Sequence, residues 1–348
     1  MNDQKVDLLC TGCFAQLEAS GGACPACGHS EAAQAVSPHQ LRPRTILNGK
    51  YLLGKVLGEG GFGITYIGWD LNLDIKVAIK EYYPNGFVTR DGTTTVFPYS
   101  GDKAEMFAAG RDRFVREAKN LAKFYALPGI VSVKDYFQEN GTAYIVMEFV
   151  EGRTLKSMLA ESGGKLPVGE VLEYMKPIIK SLHEVHTAGI IHRDISPDNM
   201  IITKEGNSKL IDFGAARGVS DGQQSLSVLL KPGFAPEEQY RTRGVQGAWS
   251  DVYALCATIY RAVTGVTPDE ALERTQQDTL EIPGNMGVSL PGSQEAALMK
   301  GLAVFQRDRF QSVMELYDAL YGPLIDMQGT IPMGTVAPNS DTADRVAV

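Results

Sequence analysis

Three glycines, Gly58, Gly60 and Gly63, break a stretch that otherwise demands paired strands: "YLLGKVLGEGGFGITYIGW" runs into "IKVAIKEYY", both rich in β-branched and aromatic residues. Glycines in G-x-G-x-x-G spacing at a strand-to-strand turn leave the backbone amides uncovered by side chains. The same spacing in a dinucleotide fingerprint would open a helix, and no helical period follows here. Further along, "TAYIVMEFV" reads as a buried strand, and "FVREAKNLAKF" spaces Phe114, Ala118 and Leu121 along one helical face. "VLEYMKPIIKSLHEVHTAG" carries a helical apolar stripe that stops at Gly189, and helical patterns dominate beyond Asp251. A strand-rich part followed by a helix-rich part predicts an α+β architecture of two unlike lobes with a cleft between them.

Composition divides the chain of 348 residues further. Residues 8–30 are rich in Cys and Gly and too few to build a core unaided; 31–46 have two prolines and no period, which suits a linker. The lobes are expected over 47–322 and a flexible tail over 323–348, rich in Pro, Gly, Thr and Asp. A net charge of −8 offers no basic field, so neither nucleic acid nor a membrane surface is expected as a partner. No stretch approaches the length of an apolar membrane span, and "MNDQKVD" has no signal-peptide pattern, so a cytoplasmic setting is expected.

The chemistry-bearing residues come in a fixed order. Lys80 of "VAIK" ends a strand, where its ammonium could meet nucleotide phosphates. Glu117 is the partner expected for it, on helical register, with Glu105 as the competitor. "HRDISPDN" and "IDFG" then supply Asp194, Asn199 and Asp212. Asp194 suits a base for an acceptor hydroxyl, and Asn199 and Asp212 offer the hard oxygen ligands that Mg²⁺ (or Mn²⁺) prefers. Isolated Asp and Asn residues more often form turns; the order and spacing of the whole set argue otherwise here.

With that set in place, the region from roughly 50 to 321 resembles the bacterial eukaryotic-like serine/threonine protein kinases, as do "VAIKEYYP", "GTAYIVMEFVEG" and "PGFAPEEQY". The resemblance implies a two-lobed protein kinase fold, ATP as phosphoryl donor and protein substrates. It implies that Ala78 and Ile201 sandwich the adenine, Met147 is the gatekeeper, and Glu148 and Val150 present backbone groups to the base. Gly58, Gly60 and Gly63 would cover the phosphates. Glu237 and Arg309 match the family's buried ion pair, Asp251 matches the helix aspartate that braces the catalytic loop, and Leu121, His192 and Phe213 fit its hydrophobic spine. Arg193 matches the arginine that in many relatives binds a phosphorylated loop, here with Ser220, Ser225 and Ser227 as acceptors.

The chain departs from the family pattern at several points. About 25 residues, "YPNGFVTRDGTTTVFPYSGDKAEMF", separate the Lys80 strand from the Glu117 helix, and Thr65 stands where a valine usually covers the adenine. More consequentially, the catalytic-loop lysine is Ser196, and the threonine expected before "PG" is Lys231, in "VLLKPGF". Lysine and hydroxyl have changed places. Phosphoryl transfer needs fixed positive charge near the transition state but not from one backbone position, so Lys231 is expected to reach Asp194 and replace the missing ammonium. The alternatives are a nucleotide-binding pseudokinase scaffold, which Ser196 taken alone favours, and a small-molecule phosphotransferase, which the "APE" segment argues against.

Cys10, Cys13, Cys24 and Cys27 form two C-x-x-C pairs ten residues apart. Two such knuckles can give four thiolates to one structural Zn²⁺, and the segment resembles a zinc ribbon. His29 is a nearby substitute ligand, and disulfides or redox pairs are the competing reading. The ribbon is expected to dock a partner, a substrate or the kinase lobe. Cys256, alone in an apolar run, reads as a small core residue. Thr330 and Thr335 are candidate autophosphorylation sites in the tail.

Overall fold

The computed structural model describes residues 8–18, 22–33, 36–213, 230–241 and 243–323. Ser220, Ser225, Ser227, Thr330 and Thr335 lie outside them. The first lobe is a six-stranded antiparallel sheet of β1 (Ile46–Leu47), β2 (Tyr51–Gly60), β3 (Gly63–Asp70), β4 (Ile75–Tyr82), β7 (Val133–Glu139) and β8 (Thr142–Glu148), ordered β1-β2-β3-β4-β8-β7. Between β4 and β7 the chain adds a small hairpin, β5 (Val88–Thr89) with β6 (Phe97–Pro98), and a long helix, α1 (Asp102–Leu121).

Helix α1 lies close on the sheet. Tyr82 of β4 packs its ring 5.4 Å from both Phe107 and Phe114, and a Cβ at Gly110 would sit 2.0 Å from the Tyr82 hydroxyl. The helix therefore starts earlier than "FVREAKNLAKF" suggests, and residues 102–107 belong to it rather than to the insertion. Gly110 lowers helix propensity locally, which masks the pattern, but the close approach requires it. The inserted hairpin is tied down by a buried ion pair. Arg90 meets Glu81 with side chains only 1% and 0% exposed, and Glu81 also accepts hydrogen bonds from Tyr66 (3.0 Å) and Tyr144 (2.9 Å).

The second lobe is helical: α2 (Leu155–Glu161), α3 (Val168–Thr187), α4 (Glu237–Tyr240), α5 (Ala248–Thr264), α6 (Ala271–Arg274), α7 (Gly292–Gly301) and α8 (Val313–Tyr321). A three-stranded sheet of β9 (Gly152–Thr154), β10 (Met200–Thr203) and β11 (Ser208–Leu210) lies at its cleft edge. Helix α5 is apolar nearly all round and is correspondingly buried on most of its surface. Cys256 sits in it, fully buried against Gly301, and burial pushes its thiol up.

The cysteine segment docks on the first lobe. Leu9 and Phe14 form a small separate core with Leu52 and Ile67, flanked by Trp69, Leu71 and Phe149. The segment expected as a linker also lies on this lobe: Leu41 is buried, and its backbone N–H donates to the Tyr66 hydroxyl at 3.0 Å.

Candidate active site

The cleft between the lobes collects Lys80, Glu117 and Asp212 around a pocket, with Phe62, Leu121, Met147 and Phe213 among its other walls. Lys80 Nζ donates to Asp212 Oδ1 at 2.9 Å. Burial alone would lower the Lys80 ammonium; the Asp212, Glu117 and Asp194 carboxylates outweigh it and raise the lysine. Burial likewise works to raise Asp212, and the Lys80 and Lys231 ammoniums outweigh it and hold that carboxyl below its usual range. Glu117 is buried on the cavity wall, whereas Glu105 lies exposed on the same helix.

The three glycines divide into two kinds. A Cβ at Gly58 or Gly60 would meet no protein atom within 4 Å, so open space lies beside them. A Cβ at Gly63 would lie 2.3 Å from the Glu81 carbonyl oxygen, so the approach of β4 alone requires that glycine. At the base-binding end, Ala78 stands opposite Met147 in the β4–β8 register, and Ala78, Val150 and Ile201 are half-buried. The Glu148 backbone N–H donates to the Ser132 carbonyl at 3.0 Å, so a hinge contact from Glu148 would come from its carbonyl.

The loop from His192 to Asn199 is held from below. Asp251, at the start of α5, accepts from the backbone N–H of His192 (2.8 Å) and of Arg193 (2.9 Å), and its Oδ2 lies 2.7 Å from His186 Nε2. Arg193 and Asp212 both carry positive φ, 68° and 58°, a left-handed conformation uncommon outside glycine and frequent at functional sites. His192 is neutral by its hydrogen bonds. Nε2 faces the Ile211 carbonyl at 3.1 Å and must donate, while Nδ1 accepts from the Asp194 N–H at 3.3 Å. Burial depresses it to about 4, and its ring packs 4.3 Å from Phe213.

Asn199 Nδ2 donates both to the Asp194 carbonyl (2.7 Å) and to Asp194 Oδ2 (2.8 Å). That orients the carboxylate and leaves the Asn199 amide oxygen as the atom with metal-binding character. Ser196 is fully buried, and Lys231 Nζ donates to its Oγ at 2.8 Å. The same Nζ lies 3.5 Å from Asp194 Oδ1. The residues that exchanged chemical types in the sequence are thus in contact, with the ammonium beside the aspartate.

One residue assignment is corrected. Arg309 pairs not with Glu237 but with Glu238, through Nη1 at 2.8 Å and Nη2 at 3.1 Å, both side chains almost fully buried. Glu237 pairs with Arg241, the residue that follows the short helix. Adjacent residues on a helix point about 100° apart, so only one of two neighbouring glutamates can face Arg309. Sequence reasoning also missed Phe62 on the cavity wall, the buried Arg90 and Glu81 pair, and His186 behind Asp251. For Arg90 the only sequence signal was a charged residue inside an insertion.

In the cysteine segment, the Sγ atoms of Cys10, Cys13, Cys24 and Cys27 all lie within 4.8 Å of one another, the Cys10–Cys27 and Cys13–Cys24 pairs at 3.8 Å. A tetrahedron with Zn–S bonds of about 2.3 Å has edges of about 3.8 Å, so the four sulfurs fit such an ion. The Gly12 N–H donates to Cys10 Sγ at 3.3 Å, which supports a thiolate.

A bilobal fold with a lysine, two aspartates and an asparagine converging on the interlobe cleft defines a class, and comparison with known proteins gives it a family. The protein kinase domain matches residues 51–289. Serine/threonine-protein kinase PknA of Nostoc sp. is 30% identical over 300 residues, covering 82% of this chain and 50% of that one. PrkC of Bacillus subtilis is 32% identical over 279 residues, covering 78% of this chain and 40% of that one. Among solved structures, "PpkA-294 apo form" superposes with a TM-score of 0.71 at 32% identity, over 81% of this chain and 99% of that one. This chain belongs to the protein kinase domain family. It spans about half or less of the length of these curated relatives. Among the described residues no helix is long and apolar enough to cross a membrane.

Proposed function

We propose that the protein is an ATP-dependent serine/threonine protein kinase in which Lys231 supplies the ammonium that the catalytic loop lacks at Ser196. The observation that carries this reading is the position of Lys231 Nζ, 2.8 Å from Ser196 Oγ and 3.5 Å from Asp194 Oδ1. In the reaction, a substrate Ser or Thr hydroxyl gives its proton to Asp194, the oxygen bonds to the γ-phosphorus, and the β–γ bridging bond breaks to release ADP. Lys231 and Lys80 face the growing negative charge from the two ends of the carboxylate cluster. Such fixed charges act most strongly at the transition state. Asn199 and Asp212 are the residues to hold a divalent ion, which when bound neutralises phosphate charge. Asn199 also fixes the Asp194 carboxylate toward the acceptor.

The four cysteines are read as a structural Zn²⁺ site, because four thiolates leave no open coordination position. A nucleotide-binding scaffold without transfer is what Ser196 alone would favour, and the Lys231 contact weighs against it. The test is to incubate purified protein with Mg-ATP and map phosphosites by mass, beside Asp194→Ala and Lys231→Met. Transfer by the unaltered protein that both substitutions reduce is expected. No transfer under varied metal conditions would leave the scaffold reading in its place.

A further inference from the structure

The segment ahead of β1 holds β2, the strand that leads into the glycine turn, at two places that the phosphoryl chemistry does not use. The first is on β2 below the turn, at the base of the glycine-bearing stretch. Pairing with β3 slips between Leu53 opposite Gly68 and Val56 opposite Tyr66, so β2 carries an extra residue there. The Lys55 N–H at that bulge donates to the carbonyl of Thr11, between Cys10 and Cys13, at 2.8 Å. Gly54 makes the approach possible: a Cβ there would lie 2.2 Å from that carbonyl oxygen and 3.1 Å from the Phe14 ring. The second place is the tip of the turn. Glu59, between Gly58 and Gly60, lies 2.7 Å from His39 Nε2 and accepts from Gln40 Nε2 at 2.9 Å. The strap bearing these two residues is anchored in turn by Arg90, which donates to the His39 carbonyl and pairs with Glu81 beside Lys80.

We propose that the cysteine segment and the strap form a two-point clasp that sets the position of the glycine turn over the nucleotide phosphates. The proposal rests on the zinc and nucleotide readings above. Its physical basis is that Thr11 lies inside the first C-x-x-C knuckle. With Cys10 and Cys13 on one ion, the Thr11 carbonyl is held rigidly; without the ion nothing covalent fixes it toward Lys55. Gly54, His39, Gln40 and Glu59 are then positioning residues that act through Gly58 and Gly60. The contact at the base is sheltered, whereas His39 and Glu59 are 34% and 28% exposed, so the base should matter more than the tip.

The experiment uses the full chain and reads zinc content, thermal stability, affinity for Mg-ATP by calorimetry, and kcat. Gly54→Ala should keep one zinc per chain while displacing the segment from β2, weakening Mg-ATP about tenfold, with kcat changed far less. The double variant His39→Ala with Gln40→Ala, on the surface and so little threat to folding, should weaken Mg-ATP about twofold to threefold. Cys13→Ser with Cys24→Ser should lose zinc and match Gly54→Ala in affinity. A wild-type chain that binds no zinc overturns the metal reading and the metal-held half of the clasp. Zinc at full occupancy with unaltered Mg-ATP affinity in both the Gly54 and the strap variants overturns the clasp and leaves the zinc reading standing.

Discussion

Two lysines flank the carboxylates of the cleft, and they reach it by different routes. Lys80 stands within β4, which runs on to Tyr82 rather than ending at the lysine, and lies 2.9 Å from Asp212. Lys231 comes from 35 residues beyond the position where the catalytic loop would carry its own lysine, and lies 3.5 Å from Asp194. The difference teaches that the chemistry constrains where a charge sits in space, whereas a motif records only where it sits along the chain. Lys80 is bound to its position because a rigid strand delivers it. On the proposed reading Lys231 serves from another segment, and the contact that would fix its ammonium there is the hydrogen bond accepted by the buried Ser196 hydroxyl.

The largest expected effect separates the two lysines from the proposed base, Asp194. Asp194→Ala should lower kcat by about a thousandfold with Mg-ATP affinity little changed, measured by steady-state kinetics and calorimetry. Lys80→Met should lower kcat by about a hundredfold to a thousandfold and also weaken Mg-ATP, since Lys80 is read as meeting the phosphates in the ground state. A Lys80 variant with unaltered affinity would erase the contrast with Lys231.

The same question of which of two like residues holds the position applies to the neighbouring glutamates. Arg309→Met leaves Glu238 buried without its partner and should destabilise the fold by about 3–5 kcal/mol in denaturant titration. Glu237→Gln, which loses only a partner that is 57% exposed, should cost less than about 1 kcal/mol. Equal losses would return Glu237 to the role that the motif suggested.

A smaller effect follows from His192. Its folded value is depressed to about 4, so below its ordinary value of 6.5 the unfolded chain binds the extra proton first. Its stabilising contribution is complete above about pH 6.5 and is lost as pH falls from there toward 4, on the order of 3 kcal/mol in all. Asp212 and Asp251, both depressed, add losses only at lower pH, below the ordinary carboxylate range. Chemical denaturation between pH 7 and 5 should show the loss, and His192→Asn should flatten it.

The two-lobed fold and the order of the site residues were legible because strand and helix periods differ and the motifs fix their own spacing. The exchange of Ser196 and Lys231 was legible as well, since two departures of opposite chemistry pointed at each other. What stayed hidden depends on three-dimensional approach. Glu238 rather than Glu237 faces Arg309 because of a helical turn that begins only after Pro236. The early start of α1 was masked by Gly110, whose reason is the Tyr82 hydroxyl on another element. The docking of the cysteine segment rests on Leu9 and Phe14 meeting Leu52 and Ile67, ordinary apolar residues whose pairing no period records. Gly63 looked like its two partners in the pattern, yet the Glu81 carbonyl alone excludes a side chain there.

The claim that Lys231 carries the displaced charge is tested most directly by kcat at saturating Mg-ATP for two variants. Lys231→Met should lower it by about a hundredfold with Mg-ATP affinity nearly unaltered, and Ser196→Lys combined with Lys231→Thr should recover most of that loss. Turnover unaffected by Lys231→Met would contradict it.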